Sequence, residues 1–132
     1  MSDLVATVQS IQCHDGVNIV TFALGEQTLT MVSLELDEVV SIGSDCLLSV
    51  NASSVAIGKN LRGMLSYSNQ LSAKVVAIEK GKLLARILLD ISENRVESMI
   101  TVASTERLGL EVGDQVTALI KSTVLSVSKV LA

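Results

Sequence analysis

The sequence predicts an all-β protein built as two small barrels in tandem, and three observations carry that reading. Val and Ile recur in short alternating runs, and the 132 residues contain no proline, a pattern that favours strands over long helices. Hydrophobic residues make up 48% of the chain, yet one Tyr and one Phe are its only aromatics, so the core is aliphatic. The chain also repeats itself. Val-Asn-Ala-Ser-Ser-Val (50–55) aligns with Ile-Lys-Ser-Thr-Val-Leu (120–125) at a shift of 70 residues, which also brings Gly43 onto Gly113. Met31-Val32-Ser33 falls on Met99-Ile100-Thr101, and the run from Ala6 to Ile11 falls on that from Ala73 to Ile78. The copies cover about 3–60 and 68–130, giving domains 1–62 and 63–132.

The elements follow in the same order in each copy. A first strand (4–12, 71–79) runs into a Gly-bearing turn, Cys-His-Asp-Gly at 13–16 and Lys-Gly at 80–81, and both are hairpin signals. A second strand (17–24, 82–91) and a third (27–33, 94–101) come next. A short helical turn is clearest at Ser104–Leu108, where Gly109 can close it as the C′ residue. In the first copy this turn is expected to be two residues shorter and to carry Glu35, Asp37 and Glu38. Val112-Gly113-Asp114 turns into a fourth strand (115–121), and a terminal strand (123–130) ends the copy. Five short strands with one helical turn describe a small Greek-key barrel of oligonucleotide-binding (OB) outline. A repeat of some 60 residues buries a marginal core alone, so pairing with its twin or with other subunits is expected. Asn60 to Ser66 links the copies without a long Gly/Ser tract, which keeps them close.

Several function classes are disfavoured. A net charge of −4 and a pI near 4.9 provide no basic field for nucleic acid or anionic membrane, and the missing aromatics remove stacking platforms. Neither nucleic acid nor membrane is an expected partner. No apolar stretch reaches bilayer length, and Met-Ser-Asp-Leu-Val does not open a signal peptide, so a soluble cytoplasmic protein is expected. Cys13 and Cys46 read as buried free thiols. His14, between Cys13 and Asp15, lacks a second ligand pair for a metal and reads as a solvated turn residue. No Gly-rich phosphate loop is present, and no catalytic constellation emerges. The expectation is a binding protein rather than an enzyme.

What stands out is a set of hydrogen-bond donors in the second copy. Ser66-Tyr67-Ser68-Asn69-Gln70-Leu71 opens it, Thr101 and Ser104 straddle the start of the helical turn, and Lys121-Ser122 closes the fourth strand. Thr101 or Ser104 would serve equally as an N-cap, and Lys121 as a strand-edge charge.

The run Ser-x-x-Asn-Gln-Leu, then Val-x-x-Ile-x-x-Gly, then Ile-Thr-x-x-Ser-x-x-x-Leu-Gly-Leu-x-x-Gly-Asp-x-Val, then Ala-Leu-Ile-Lys resembles the molybdenum-pterin-binding or molbindin (Mop, TOBE-like) family. The same domain is attached to molybdate transport ATPases and molybdate-responsive transcription factors. The second copy matches over nearly its whole length and the first mostly through glycines and apolar pattern; two copies in one chain resemble the tandem molbindins. That resemblance implies a bound molybdate or tungstate, a homotrimer with oxyanions at subunit interfaces, and a role in storage or homeostasis. A ligand-sensing module for a transporter or regulator, or an oligomerisation domain that has lost its ligand, are the alternatives. For matched positions it implies Ser66, Tyr67 and Ser68 on one side of the oxyanion, with Thr101, Ser104, Lys121 and Ser122 closing the other from a neighbouring subunit. The chemistry agrees. Every oxygen of a dianionic oxyanion accepts, so its shell should offer donors: hydroxyls, backbone N–H groups and an ammonium. Thr101 and Ser104 place theirs near free helix N–H groups. Family members often carry Arg where this chain has Ser68, and Arg62 or Lys59 are the candidate substitutes. In the first copy, Asn51-Ala52 replaces Lys-Ser, Ser33 stands where Thr101 does, and three carboxylates would repel a dianion. The first copy is therefore expected to be mainly structural, though able to complete sites made by the second.

Overall fold

The computed structural model describes residues 2–131. The first copy contributes β1 (Ser2–His14), β2 (Val17–Leu24), β3 (Gln27–Ser33), β4 (Asp45–Val50) and β5 (Val55–Gly58). The second contributes β6 (Asn69–Lys80), β7 (Leu84–Ile91), β8 (Asn94–Thr101), the helix α1 (Val102–Arg107), β9 (Gln115–Ile120) and β10 (Ser126–Val130). A single 3-10 turn precedes each last strand, Ala52–Ser54 before β5 and Ser122–Val124 before β10. The two antiparallel sheets, ordered β10-β4-β1-β2-β3 and β5-β9-β6-β7-β8, form the expected OB-like barrels. The fifth strands are exchanged. β5 pairs with β9, and β10 pairs with β4, so each barrel takes its last strand from the other copy. The chain boundary near residue 62 falls between β5 and β6, but the sheets cross it.

Period-two burial builds the core. Leu4, Ala6 and Val8 of β1 point inward, as do Leu71, Ala73 and Val75 of β6, and buried residues of both copies join in one apolar cluster. Each long first strand bends at a bulge, between Val8 and Ser10 and between Val75 and Ala77. The same device holds both bulges. Gly43 N–H donates to Val8 O and Val8 N–H to Ser44 O, while Gly113 N–H donates to Val75 O and Val75 N–H to Asp114 O, at 2.7–2.9 Å. Gly43 and Gly113 sit at φ 92° and 99°, a region that side chains with a Cβ enter at a cost.

The copies also tie to each other reciprocally. Asn69 of β6 is fully buried and lies against the free edge of β3: its Oδ1 accepts from Thr30 N at 2.7 Å and its Nδ2 donates to Thr30 O at 2.9 Å. Ser2 of β1 treats β8 in the same way with one bond, its Oγ accepting from Glu97 N at 2.8 Å. Gln27 grips both backbone groups of Ser72, and Asn94 Oδ1 accepts from Val5 N. The β3 and β8 edges are thus each tied to the other copy.

Three sequence expectations change. Residues 34–44 hold turns and no helix, because Ser33 Oγ donates to Glu35 O instead of capping a helix start. Cys13 is exposed and only Cys46 is buried, both thiols being free, since β1 runs on past the barrel into its hairpin tip. The alignment of Met31 with Met99 slips by one. The hairpins pair Leu24 with Gln27 and Ile91 with Asn94, which sets Met31 against Ser98. Both of these point into the core, whereas Met99 faces out; a one-residue slip exchanges faces.

Candidate functional site

Lys121 follows β9 as the extended residue that caps the start of the 3-10 turn Ser122–Val124. Its side chain lines a cleft of about 320 Å³ together with Tyr67, Ser53 and Ser54. The apolar wall is made by Val55 and Ala56 of the exchanged strand and by Met99 and Ile100 of β8. Tyr67 comes from the opening of the second copy and Lys121 from just after its fourth strand, so strand exchange is what brings Ser53 and Ser54 beside them. Among the described residues no carboxylate lines this cleft, although the chain has 14 acidic residues against 10 basic ones. An ammonium with three donors and three hydroxyls make a surface suited to an acceptor-only anion.

The other expected residues are distributed differently. Thr101 and Ser104 meet each other. Thr101 is the N-cap of α1, its Oγ1 accepting from Ser104 N at 3.0 Å and contacting Ser104 Oγ at 2.9 Å. Arg107 donates to Ser104 Oγ at 3.1 Å. The cap accounts for the geometry of Thr101 within one chain, and Ile100, its neighbour, reaches the cleft wall. Ser66 and Ser68 are exposed in the link, and Ser122 is half-buried in the 3-10 turn; none of the three lines the cleft. Asn69, the last member of Ser-x-x-Asn, is occupied by Thr30 and is structural.

Lys59 is engaged within the chain. Its Nζ donates to Gly109 O at 2.8 Å and to Asp114 Oδ2 at 3.0 Å. The Glu111 N–H and the Lys59 ammonium together hold the Asp114 carboxyl below its ordinary value. His14 sits 3.3 Å from Asp15 with both side chains exposed at the hairpin tip, and no group of three His, Cys, Asp or Glu converges among the described residues. Sequence reasoning missed Ser53 and Ser54. Their signal was present in the alignment of 50–55 with 120–125, which placed them beside the counterparts of the Lys-Ser run, but only the exchanged strand carries them to Lys121.

Comparison with known proteins decides the family. A TOBE domain matches residues 65–127. Molybdenum-pterin-binding protein 1 of Clostridium pasteurianum is 43% identical over 60 residues, 45% of this chain and 88% of that protein. The chain belongs to the molybdenum-pterin-binding family. The family domain is also similar to part of the molybdenum import ATP-binding protein ModC of Brucella abortus, 38% identical over 76 residues, 57% of this chain and 21% of that one. The tandem arrangement has a structural counterpart in the cytoplasmic molybdate-binding protein ModG, solved with molybdate bound. The two are 26% identical with a TM-score of 0.85, over 95% of this chain and 93% of that chain. This molybdenum-pterin-binding family member is therefore of the two-repeat form, and no helix among its described residues is long and apolar enough to cross a membrane.

Proposed function

We propose that this chain binds a tetrahedral oxyanion, molybdate or tungstate, reversibly at the Lys121 cleft and acts as a cytoplasmic store or buffer. One observation carries the reading: in an acidic chain, Lys121, Tyr67, Ser53 and Ser54 share a cleft whose lining, among the described residues, has no carboxylate. Family membership and the likeness to ModG, which holds molybdate, support the choice of ligand. Residues 63–132 are the ligand-bearing repeat and residues 1–62 the frame that lends Ser53 and Ser54. In a homotrimer, a neighbouring subunit brings Ser66, Ser68, Thr101, Ser104 and Ser122 to complete the shell. Exposed Met64, Leu65, Leu83 and Leu84 supply apolar surface for such contacts.

The test is isothermal titration of the purified protein with molybdate, with sulfate and phosphate as controls. Saturable uptake of molybdate with little heat from the controls is expected. Lys121→Ala should weaken binding by roughly ten- to a hundredfold, since a charge-assisted bond contributes about 1.5–3 kcal/mol, while leaving the fold intact because Lys121 is exposed. Unchanged affinity in that variant would sink the site. Absence of uptake by the wild type would leave a ligand-sensing interaction module or an oligomerisation domain. Sedimentation at micromolar concentration should show a trimer, and a monomer with and without molybdate would remove the subunit-interface reading.

A further inference from the structure

The exchange of β5 and β10 builds two clefts with related walls. In the Lys121 cleft, Val55 and Ala56 of β5 face Ile100 of β8. In the other, of about 410 Å³, Leu125 and Ser126 lead into β10 and face Ser33 of β3. These are corresponding positions of the two copies, and each 3-10 turn packs on the third strand of the other copy. The walls match but the charges do not. Glu35 and Asp37 line the first-copy cleft opposite Lys129, two carboxylates against one ammonium. Two of its three serine hydroxyls are also committed, Ser33 Oγ donating to Glu35 O and Ser128 Oγ to Leu47 O. An oxyanion entering there would meet acceptors where the Lys121 cleft offers donors, and like charges at such range repel.

We propose that Glu35 and Asp37 are specificity determinants that close the first-copy cleft to oxyanions, so that the chain carries one class of anion site, at Lys121. The inference rests on the oxyanion reading of that cleft. The loop shape does not depend on the charges: the Asp37 carboxylate accepts from Val39 N at 3.1 Å, a bond that asparagine retains, and both side chains are otherwise exposed.

Equilibrium dialysis with molybdate at fixed ionic strength tests the proposal on four proteins: wild type, K121A, E35Q/D37N, and the triple variant. The wild type should show one class of site, and K121A should weaken it by roughly ten- to a hundredfold. E35Q/D37N should gain a second, weaker uptake, and the triple variant should keep that uptake alone. Uptake surviving in K121A at wild-type affinity with Glu35 and Asp37 intact would overturn the proposal, because the first-copy cleft would then bind without help. No added uptake in E35Q/D37N would overturn it too, since the carboxylates would not be what excludes the anion. A wild type that takes up nothing fails the oxyanion reading itself, a result distinct from both.

Discussion

The two barrels are wired alike but sealed unequally. Asn69 meets the N–H and the C=O of Thr30 from a fully buried position, whereas Ser2, its counterpart in β1, gives Glu97 N a single acceptor. The difference teaches that the second copy's first strand clamps the first barrel more firmly than the reverse. It also gives a structural role to an asparagine that stands within the Ser-x-x-Asn motif. Asn69→Ala takes the side-chain partner from the N–H and C=O of half-buried Thr30, and a polar group left unpaired away from water costs up to about 1–3 kcal/mol. A loss of roughly 2–4 kcal/mol in urea denaturation is expected, against about 1 kcal/mol for Ser2→Ala. Equal losses would break the comparison.

Where the copies agree, substitution should cost the same in both. Gly43 and Gly113 hold matching bulges at positive φ, with open space where a Cβ would stand. Alanine at either position is therefore limited by backbone strain rather than by collision, about 1–2 kcal/mol. A cost at one glycine and none at the other would show that the shared hydrogen bonds do not bear equally on stability.

Where the copies part, between the third and fourth strands, the cost should fall on one side only. Thr101 caps α1, and Gly109 closes it in the left-handed region, with Gly109 N–H donating to Glu106 O and Leu110 N–H to Thr105 O. Thr101→Ala should cost about 1 kcal/mol and release α1 to amide hydrogen exchange. Ser33→Ala, which removes only the bond to Glu35 O in an exposed turn, should cost less. A larger loss at Ser33 would mean that residues 34–44 depend on that bond for their shape.

Much of this was legible in the sequence because it rests on local chemistry. Period-two alternation marked the strands, Asp15-Gly16 marked a hairpin whose two turn residues both take positive φ, and Gly109 marked the end of α1. The exchange of β5 and β10 was not legible. Val55–Gly58 has the same apolar pattern whichever β-strand edge it joins, and only tertiary packing selects β9. Ser53 and Ser54 were hidden for that reason, since their chemistry depends on which barrel their strand enters. The absent helix in residues 34–44 came from the opposite error, in which repeat homology outweighed a local competitor: Ser33 spends its hydroxyl on Glu35 O. Met31 and Met99 shared a residue type but not a face, and only the hairpin register could separate them.

The smallest expected effect concerns a turn that both copies close in the same way with different chemistry. Asp114 Oδ2 accepts from Glu111 N at 2.9 Å, and Ser44 Oγ accepts from Ser41 N at 3.2 Å in the corresponding turn. The backbone N–H of Glu111 first, then the Lys59 side chain, hold the Asp114 carboxyl below the ordinary aspartate value of 3.8. A carboxyl depressed in the folded state contributes stability that is fully present above its unfolded value. That contribution is lost as pH falls through the lower folded value. The second-copy turn is therefore acid-sensitive, while its serine counterpart does not titrate. Glu97, held low by its hydrogen bond to Arg86, adds an acid dependence of its own, so replacing Asp114 should remove only part of the total. Asp114→Ser copies the first-copy turn into the second and should flatten the fall of the urea midpoint between pH 4 and pH 2, roughly the range of perturbed carboxylates. An acid limb as steep as in the wild type would mean that the contacts of the Asp114 carboxylate with Glu111 N and Lys59 contribute nothing to stability.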